Sequence, residues 1–437
     1  MEALPTTLLD LLSNQLILRQ VSPYIPTRDV ISLSATSRNL RQLITNAPEV
    51  FQYLDLSPIT SARIAVKPID PGGISWRAER MDEALTEDEF YAGPLRGIFS
   101  RLSRQNVLKY VHTLILDGLS VPADLVREII AEDRFNVKIL SLRQCWHLNE
   151  RKLNQVIRYA VRPSRPEGTP KLRGLYFFGL QDASVNRLSQ SISIREEKQR
   201  IARSGVTSSE GAQIGAAWSQ IADDDIANRS EYAEDHLYRT VGRIMQTPIS
   251  DWSATLAECK GLITFDAVLC RGPRHDPHAG SSYLPPAIAT ISLKARGCQS
   301  CGTCPEGPAI FGESPMTDLP LLAPPPIHSS RLRTAQRPSP ISTSSSGHPR
   351  MPKLIMRCED CLRGRWCERC NKWWCENCFS EPVSRVTDPP RALDSAALTD
   401  LMGPDPKLAG QVKVLFNVCV ESCLRSEILP VVDGMWG

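Results

Sequence analysis

The sequence lacks an apolar run long enough to span a membrane, and it begins with Glu2 and Pro5 in place of the basic and apolar regions of a secretory leader. It also lacks a strong charge of one sign, since 51 Lys and Arg residues face 48 Asp and Glu residues. A balance this close to neutral gives no indication of a nucleic-acid or membrane partner. No nucleophile, acid–base pair or phosphate-binding loop stands in a context that supports catalysis. We therefore expect a soluble, non-secreted protein of the cytoplasm or nucleus that is not an enzyme.

Cysteine is well represented, with 14 residues in a chain of 437. In a reducing compartment thiols rarely form lasting disulfides, so clustered cysteine pairs indicate metal ligands. The chain is long enough for two or three domains with their own cores. Helical and strand patterns both occur, and the predicted fold class is mixed α/β.

The N-terminal stretch from Leu4 to Ile44 reads LPTTLLDLL and then VSPYIPTRDVISLSATSRNLRQLI, with apolar residues at helical spacing on both sides of a Pro-Thr-Arg-Asp break. It predicts three short helices, the first lengthened through Ser13 to Gln20. The order of these features closely resembles an F-box, which we assign to residues 1–50. The resemblance implies binding to a small Skp-type adaptor protein and through it to a cullin. The implied adaptor contacts are Leu4, Pro5, Leu8, Ile17, Ile31, Leu33 and Leu40. The alternative is a helical hairpin that only caps the next domain.

A second pattern recurs through residues 51–297: a short strand with apolar residues at its first, fourth, sixth and ninth positions. Its copies centre on Leu54, Leu114, Leu140, Leu175 and Phe265. The pattern resembles a leucine-rich repeat, and the copy that ends in Cys145 resembles the cysteine-containing repeats that follow F-boxes. The expectation is a short, irregular solenoid of parallel strands. Apolar spacing predicts helices at residues 123–131 and 151–160 on its convex side.

Three further segments interrupt or follow the repeats. Residues 181–255 carry no repeat signal and are predicted to be a partly ordered insertion. Residues 305–352 are dominated by Pro and Ser, and we expect a flexible linker there. The apolar C-terminal end, from Ile428 onward, is expected to pack against the zinc module or the solenoid.

The strongest chemical signal lies in residues 298–437, which are predicted to form a Cys-rich zinc module. Pairs of cysteines two residues apart direct two sulfurs at one ion, and four thiolates complete a closed tetrahedral zinc site. The predicted ligands are Cys298, Cys301, Cys358, Cys361, Cys367, Cys370, Cys375, Cys378, Cys419 and Cys423. We expect two zinc ions, and a third site if Cys304 and His328 take part.

The pairing of these ligands has two solutions. In the first, the pair at 358 and 361 shares an ion with the pair at 375 and 378, and the pair at 367 and 370 shares an ion with Cys419 and Cys423. This cross-braced arrangement resembles FYVE and RING modules in ligand spacing alone. In the second, Cys298 and Cys301 replace Cys419 and Cys423. The sequence favours a loop role for His275 and His278, which have no third partner nearby.

Two other functions of the cysteine-rich segment are less favoured. Trp366-Cys367-x-x-Cys370 is similar to a thioredoxin-type redox motif, but no strand-helix-strand frame surrounds it. Nucleic-acid binding is disfavoured because residues 351–378 lack a strong basic excess. The tryptophans at 366, 373 and 374 are expected to supply the apolar core of the module.

The whole order resembles a group of filamentous-fungal F-box proteins. The resemblance implies a non-catalytic substrate-recognition subunit of a cullin-based, SCF-type ubiquitin ligase, with an unknown protein as its substrate. The alternative is a zinc-dependent protein-interaction or transcription-associated protein without a role in ubiquitin transfer.

Overall fold

A computed structural model describes residues 7–64, 87–180, 236–239, 241–248, 251–322, 325, 331–338, 351–379, 413–415 and 417–424. Most of the predicted insertion lies outside these residues, as do Leu4, Pro5, His328 and the C-terminal end from Ile428 onward. The chain forms two compact units. The first contains residues 1–236, 258–266 and 320–339, and the second contains residues 237–257, 267–319 and 340–437. Residues 267–297, which the sequence assigns to the repeats, thus belong to the second unit.

The described chain is mixed α/β, as predicted. Its helices are α1 (Leu8–Ser13), α2 (Gln15–Val21), α3 (Thr27–Thr36), α4 (Arg38–Asn46), α5 (Glu87–Arg104), α6 (Ala123–Ala131), α7 (Glu150–Val161), α8 (His236–Arg239), α9 (Trp252–Glu258) and α10 (Leu332–Ala335). Short 3-10 turns lie at Ser22–Tyr24, Pro48–Phe51, Thr60–Ala62, Val107–Lys109, Pro273–His275, Pro277–Ser282, Met316–Asp318 and Asp360–Leu362. None of the described helices has both the length and the apolar character that a bilayer span requires.

The N-terminal segment contains four α-helices where the sequence predicted three. Asn14 adopts an extended conformation that ends α1, and its side chain accepts a hydrogen bond from the backbone N–H of Leu16 at 3.0 Å. Ser37 likewise separates α3 from α4 and caps α4 through the N–H of Leu40 at 3.1 Å. The prediction of one lengthened first helix was wrong, because an Asn side chain competes for backbone donors and starts a new helix.

The first unit is built on a parallel sheet of five strands. Its strands are β1 (Tyr53–Asp55), β2 (Thr113–Ile115), β3 (Ile139–Ser141), β4 (Gly174–Tyr176) and β6 (Thr264–Phe265), paired in that order. Their register places Leu54, Leu114, Leu140, Leu175 and Phe265 side by side, all of them buried. These are the central residues of the five predicted copies. The two predicted helices are present as α6 and α7.

Part of the predicted linker packs on this sheet. The hydroxyl of Tyr176 donates to the carbonyl of Leu322 at 2.8 Å, and the N–H of Leu321 donates to the carbonyl of Phe265 at 2.8 Å. A Cβ atom at Gly174 would lie 3.0 Å from a methyl group of Leu332, so a larger residue here would have to displace that side chain. The prediction of a disordered linker was therefore wrong for residues 305–322 and 331–338. The prediction rested on the high content of Pro and Ser, but a few leucines that pack into the core are enough to order a short segment.

We expect Leu321→Ala to lower the free energy of unfolding of the first unit by about 2–5 kcal/mol, because truncating a core leucine loses apolar burial and leaves a cavity. Only 1% of Leu321 is exposed. Leu180→Ala is the matched control, since 72% of that leucine is exposed and its loss should change stability by less than about 0.5 kcal/mol. Urea denaturation of both variants measures the difference. Equal, small effects would show that residues 320–322 do not stabilise the fold.

The second unit contains an antiparallel sheet with the order β5 (Gly242–Arg243), β7 (Ile291–Leu293), β9 (Lys353–Arg357) and β8 (Ala309–Ile310). A short hairpin pairs β10 (Val414–Leu415) with β11 (Val418–Cys419) and is followed by a π-helical turn at Val420–Leu424. Strand β9 ends directly before Cys358, and β11 ends on Cys419. The two sheets of this unit thus position cysteines that come from distant parts of the sequence.

Candidate metal centres

Cysteine and histidine side chains of the second unit converge in three groups of four. Group 1 contains Cys270, His275, Cys358 and Cys361; group 2 contains Cys298, Cys301, Cys375 and Cys378; group 3 contains Cys367, Cys370, Cys419 and Cys423. Within each group the candidate ligand atoms all lie within 4.8 Å of one another. Each group joins one pair from residues 358–378 to a second pair from elsewhere in the chain. Each group can therefore hold one metal ion that fastens two segments together.

Group 1 combines three sulfurs with one imidazole. The Sγ atoms of Cys270 and Cys361 are 3.8 Å apart, and Nε2 of His275 lies 3.2 Å from Sγ of Cys358. The other ring nitrogen, Nδ1, lies 3.2 Å from the carbonyl oxygen of Leu284. A proton on Nδ1 that is donated to this carbonyl leaves Nε2 free to bind a metal ion, which is the usual arrangement of a histidine ligand.

The thiols of group 1 also change the charge of their neighbours. Burial by itself lowers the pKa of His275, but hydrogen bonds with Cys270 and Cys358 raise it to about 10. Hydrogen bonds from Cys270 and Cys361 lower the pKa of Cys358. A thiolate is the form in which cysteine binds a metal, so Cys358 is prepared for that role.

Group 2 is formed where a tight loop meets the turn after Trp373. The N–H of Cys375 donates to Sγ of Cys298 at 3.2 Å, and the Sγ atoms of Cys301 and Cys375 are 3.7 Å apart. Gly297 has a φ of +87°, and a Cβ atom there would lie 2.5 Å from the carbonyl oxygen of Gly302. Glycine is therefore required for the loop to close.

Group 3 depends on the β10–β11 hairpin. Sγ of Cys367 lies 3.9 Å from that of Cys423, and Sγ of Cys370 lies 3.6 Å from that of Cys419. Burial raises the pKa of Cys419, but the hydroxyl of Ser422 and the backbone N–H of Cys423 lower it to about 6. The hairpin thus presents a thiol that ionises readily.

Buried ion pairs connect groups 1 and 2. Arg357 precedes Cys358, is fully buried, and donates to the carboxylates of Glu376 at 2.8 Å and Glu306 at 2.9 Å. Glu376 follows Cys375, and its carboxylate also forms an ion pair with the guanidinium of Arg365 at an N···O distance of 3.2 Å. Because buried charges are costly without partners, this network fixes the chain next to both groups.

The three tryptophans lie in the core beside these groups. Trp366, Trp373 and Trp374 are buried, together with Ile291 and Leu293 of β7. The expected core role is confirmed, although strand residues share it. Their burial leaves no ring surface for stacking on bases.

All ten cysteines singled out from the sequence lie in the three groups. The pairing of 367 and 370 with 419 and 423 agrees with the first predicted solution. The pairing of 358 and 361 with 375 and 378 was wrong, because each of these pairs meets a separate partner pair. Substitution of Cys298 and Cys301 for Cys419 and Cys423 was also wrong. Among the described residues Cys304 and His278 belong to none of the groups.

Sequence reasoning missed two members of group 1. Cys270 is the ninth position of the repeat copy centred on Phe265, so the repeat pattern assigns it to the core of that copy, and the sequence favoured a loop role for His275. Their separation by four residues is itself a ligand-like spacing, and it was the available signal. The ten predicted ligands form five pairs, so sites of four ligands leave one pair without a partner, and a search for that partner would have pointed to the same two residues.

The N-terminal helices present a second candidate site. Their core contains the buried residues Leu12, Leu18, Val30, Ile44, Ala47 and Val50. Of the predicted adaptor contacts, Leu8 and Ile31 are 59% and 57% exposed, and Ile17 is half-buried. Leu33 and Leu40 are half-buried and pack against that core. Leu11 and Leu16, not singled out before, are exposed as well.

A comparison with protein-family models gives no match, and a comparison with curated proteins gives none either. The described structure is that of a mixed α/β protein with three Cys/His groups that can hold metal ions.

Proposed function

We propose that this chain is a zinc-stabilised, non-catalytic substrate receptor of a cullin-based ubiquitin ligase. The observation that carries the proposal is the set of apolar side chains that the N-terminal helices leave exposed. Exposed Leu8, Leu11, Leu16 and Ile31 lie on α1, α2 and α3, whose own core is already filled by other residues. Exposed apolar side chains on helices are the means by which a helical segment docks into an apolar groove of a partner protein. The resemblance to an F-box supplies the partner, a Skp-type adaptor.

Zinc is the metal that the three groups fit best. A tetrahedral ion with zinc–sulfur bonds of about 2.3 Å places its sulfurs about 3.8 Å apart. The Sγ–Sγ distances of 3.8 Å in group 1, 3.7 Å in group 2 and 3.6 Å in group 3 agree with that value. Four protein ligands leave no open position for substrate, so these ions would have a structural role. We propose three ions, whereas the sequence predicted two, with a third possible if Cys304 and His328 took part.

The parallel sheet supports the reading of the first unit as irregular leucine-rich repeats. Its strands stack in register and place one apolar residue of each copy in the same row. Such a unit offers a rigid frame on which loops can recognise a protein substrate.

The double variant Leu8→Asp, Ile31→Asp tests adaptor binding. Both side chains are more than half exposed, so the charges should leave folding intact but weaken an apolar interface at least about tenfold. The full chain is co-expressed with a Skp-type adaptor, and the adaptor retained on the tagged chain is measured together with the melting temperature.

The double variant Asn39→Asp, Gln42→Asp is the matched control, because both are exposed neutral residues on α4 and together they receive the same two charges. It should retain the adaptor as the unchanged chain does. Failure of the unchanged chain to retain any adaptor would overturn the ubiquitin-ligase role.

A second candidate is a zinc-dependent interaction protein whose N-terminal helices only cap the fold. The half-burial of Leu33 and Leu40 against their own core favours it. Under this reading, deletion of residues 1–50 would lower the stability of the first unit, whereas a receptor would lose only its adaptor.

A further inference from the structure

The three groups differ in how far their sulfurs are exposed. Every member of groups 1 and 3 is buried or half-buried, whereas Cys301 and Cys378 of group 2 are exposed. The other two members, Cys298 and Cys375, are buried. A small oxidant in solution therefore meets the sulfurs of group 2 before those of the other groups.

Charge gives a second difference. With a divalent ion, the three thiolates of group 1 leave one surplus negative charge, and the four thiolates of group 2 or group 3 leave two. A larger surplus keeps the sulfurs richer in electrons and thus better nucleophiles. Group 3 shares this charge but lacks the exposure, so only group 2 has both properties.

We propose that Cys301 and Cys378 form a peroxide-sensitive site, in which oxidation joins them in a disulfide and releases the metal ion of group 2. The inference rests on the zinc content of the proposed function and is independent of adaptor binding. The substrate class is a hydroperoxide, with hydrogen peroxide as its simplest member.

The reaction balances in two steps. The Cys301 thiolate attacks one oxygen of hydrogen peroxide, the O–O bond breaks, and a sulfenic acid and hydroxide form. The Cys378 thiolate then attacks that sulfur, a disulfide forms, and a second hydroxide leaves. The two sulfurs have lost two electrons and the peroxide has gained them, and the acid form of the buffer protonates the two hydroxides to water. The zinc ion is not oxidised, and it leaves because only two thiolates remain.

The geometry brings the two sulfurs close enough for this exchange. The ligand atoms of group 2 lie within 4.8 Å of one another, and a disulfide requires a sulfur–sulfur distance of about 2.05 Å, so a shift of roughly 3 Å suffices. The N–H of Gln299 also donates to the carbonyl of Trp373 at 2.8 Å, which holds the same two segments together. The disulfide would replace the metal as the link between them.

The test uses the full chain loaded with zinc. Hydrogen peroxide is added, and released zinc is followed with a chromophoric chelator; a mercurial reagent then releases the remaining zinc and gives the total. We expect one ion in three to leave at least about tenfold faster than the others. Peptide mapping by mass spectrometry should find the Cys301–Cys378 disulfide, and a thiol reductant with added zinc should restore the ion.

Two variants sharpen the result. Cys301→Ser should abolish the disulfide and, because it also removes a ligand of group 2, should lower the zinc total to two ions and leave no rapidly released ion. Cys304→Ser, which changes a nearby thiol outside the groups, should leave the disulfide, the zinc total and the rapid release unchanged. Release of all three ions at one rate, or first oxidation of a cysteine in group 1 or group 3, would overturn the inference. A zinc total near zero would contradict the proposed metal content instead, so the two failures are distinguishable.

Discussion

If the three groups hold zinc as proposed, its removal from the full chain should unfold the second unit. Structural zinc sites in small domains contribute about 10–16 kcal/mol each, which equals or exceeds the total stability of a typical domain. The core of this unit is built partly from the ligands themselves, with Cys367, Cys375 and Cys419 buried beside Trp373. A strong zinc chelator should therefore abolish cooperative unfolding of this unit and shift the emission of its buried tryptophans to longer wavelengths.

Substitution of a single ligand should remove one zinc ion and destabilise the unit less than removal of all three ions. Cys361→Ser, at a fully buried position of group 1, should lower the bound zinc from three ions to two and strongly destabilise the unit. Cys145→Ser is the control, because Cys145 lies in the first unit and outside the groups; its zinc content should stay at three. Zinc content is measured by atomic emission and unfolding by fluorescence. A metal-free chain that keeps its cooperative transition would contradict a structural role for the ions.

Local spacing predicted the ligand pairs well, because two cysteines separated by two residues form a knuckle wherever they occur. It did not decide which pairs share an ion. Cys358 and Cys375 are close in sequence, yet strand β9 directs the first toward Cys270 and His275, while the turn after Trp373 directs the second toward Cys298. Only the antiparallel sheet and the loop closed by Gly297 determine this choice.

The repeat pattern shows the same contrast. The five central positions of the parallel strands were predicted because each copy repeats the same apolar spacing, and spacing is a local property. The packing of Leu321 and Leu332 on that sheet was missed. The overall composition of residues 305–352 is dominated by Pro and Ser, and it hides a few leucines that contact residues distant in the sequence. Burial by long-range contacts is not visible to a composition argument.

The sequence predicted three N-terminal helices where the structure has four, and it predicted their apolar character correctly. The missed break at Asn14 has a local cause, a side chain that caps the following helix. Exposure is a different property: the sequence grouped Leu8, Ile31, Leu33 and Leu40 together, but the structure leaves the first two exposed and packs the other two against the helical core. Apolar spacing identifies a helix face without stating how much of it the chain itself covers.

Arg143→Met should destabilise the first unit by about 3–5 kcal/mol, the usual cost of removing one partner from a buried ion pair. The guanidinium of Arg143 is buried and lies 2.7 Å from a carboxylate oxygen of Asp117, which also accepts a hydrogen bond from Ser141 at 2.6 Å. Methionine fills a similar volume but leaves the Asp117 carboxylate without its cation. Urea denaturation followed by circular dichroism measures the loss.

The same variant should respond to pH in a defined direction. Burial raises the pKa of Asp117 in the folded protein, while Arg143 and Ser141 lower it. The folded state therefore binds the proton of Asp117 more tightly than the unfolded state, whose pKa is about 3.9, and stability falls as the pH rises from that value through the folded pKa. Loss of Arg143 raises the folded pKa further. The destabilisation by Arg143→Met should thus be larger at pH 8 than at pH 4, close to the pKa of the unfolded state.

A double variant separates charge from packing. Asp117→Asn combined with Arg143→Met removes both charges of this pair, so it should recover part of the lost stability and reduce the added dependence on pH. The part that remains belongs to the buried carboxyl group of Asp266, whose pKa Arg143 also lowers. The amide of Asn can still accept a hydrogen bond from Ser141, which keeps one polar contact of the native cluster. If the single and double variants are equally unstable at both pH values, the cost comes from packing of the Arg143 side chain, and the buried charge of Asp117 is not its cause.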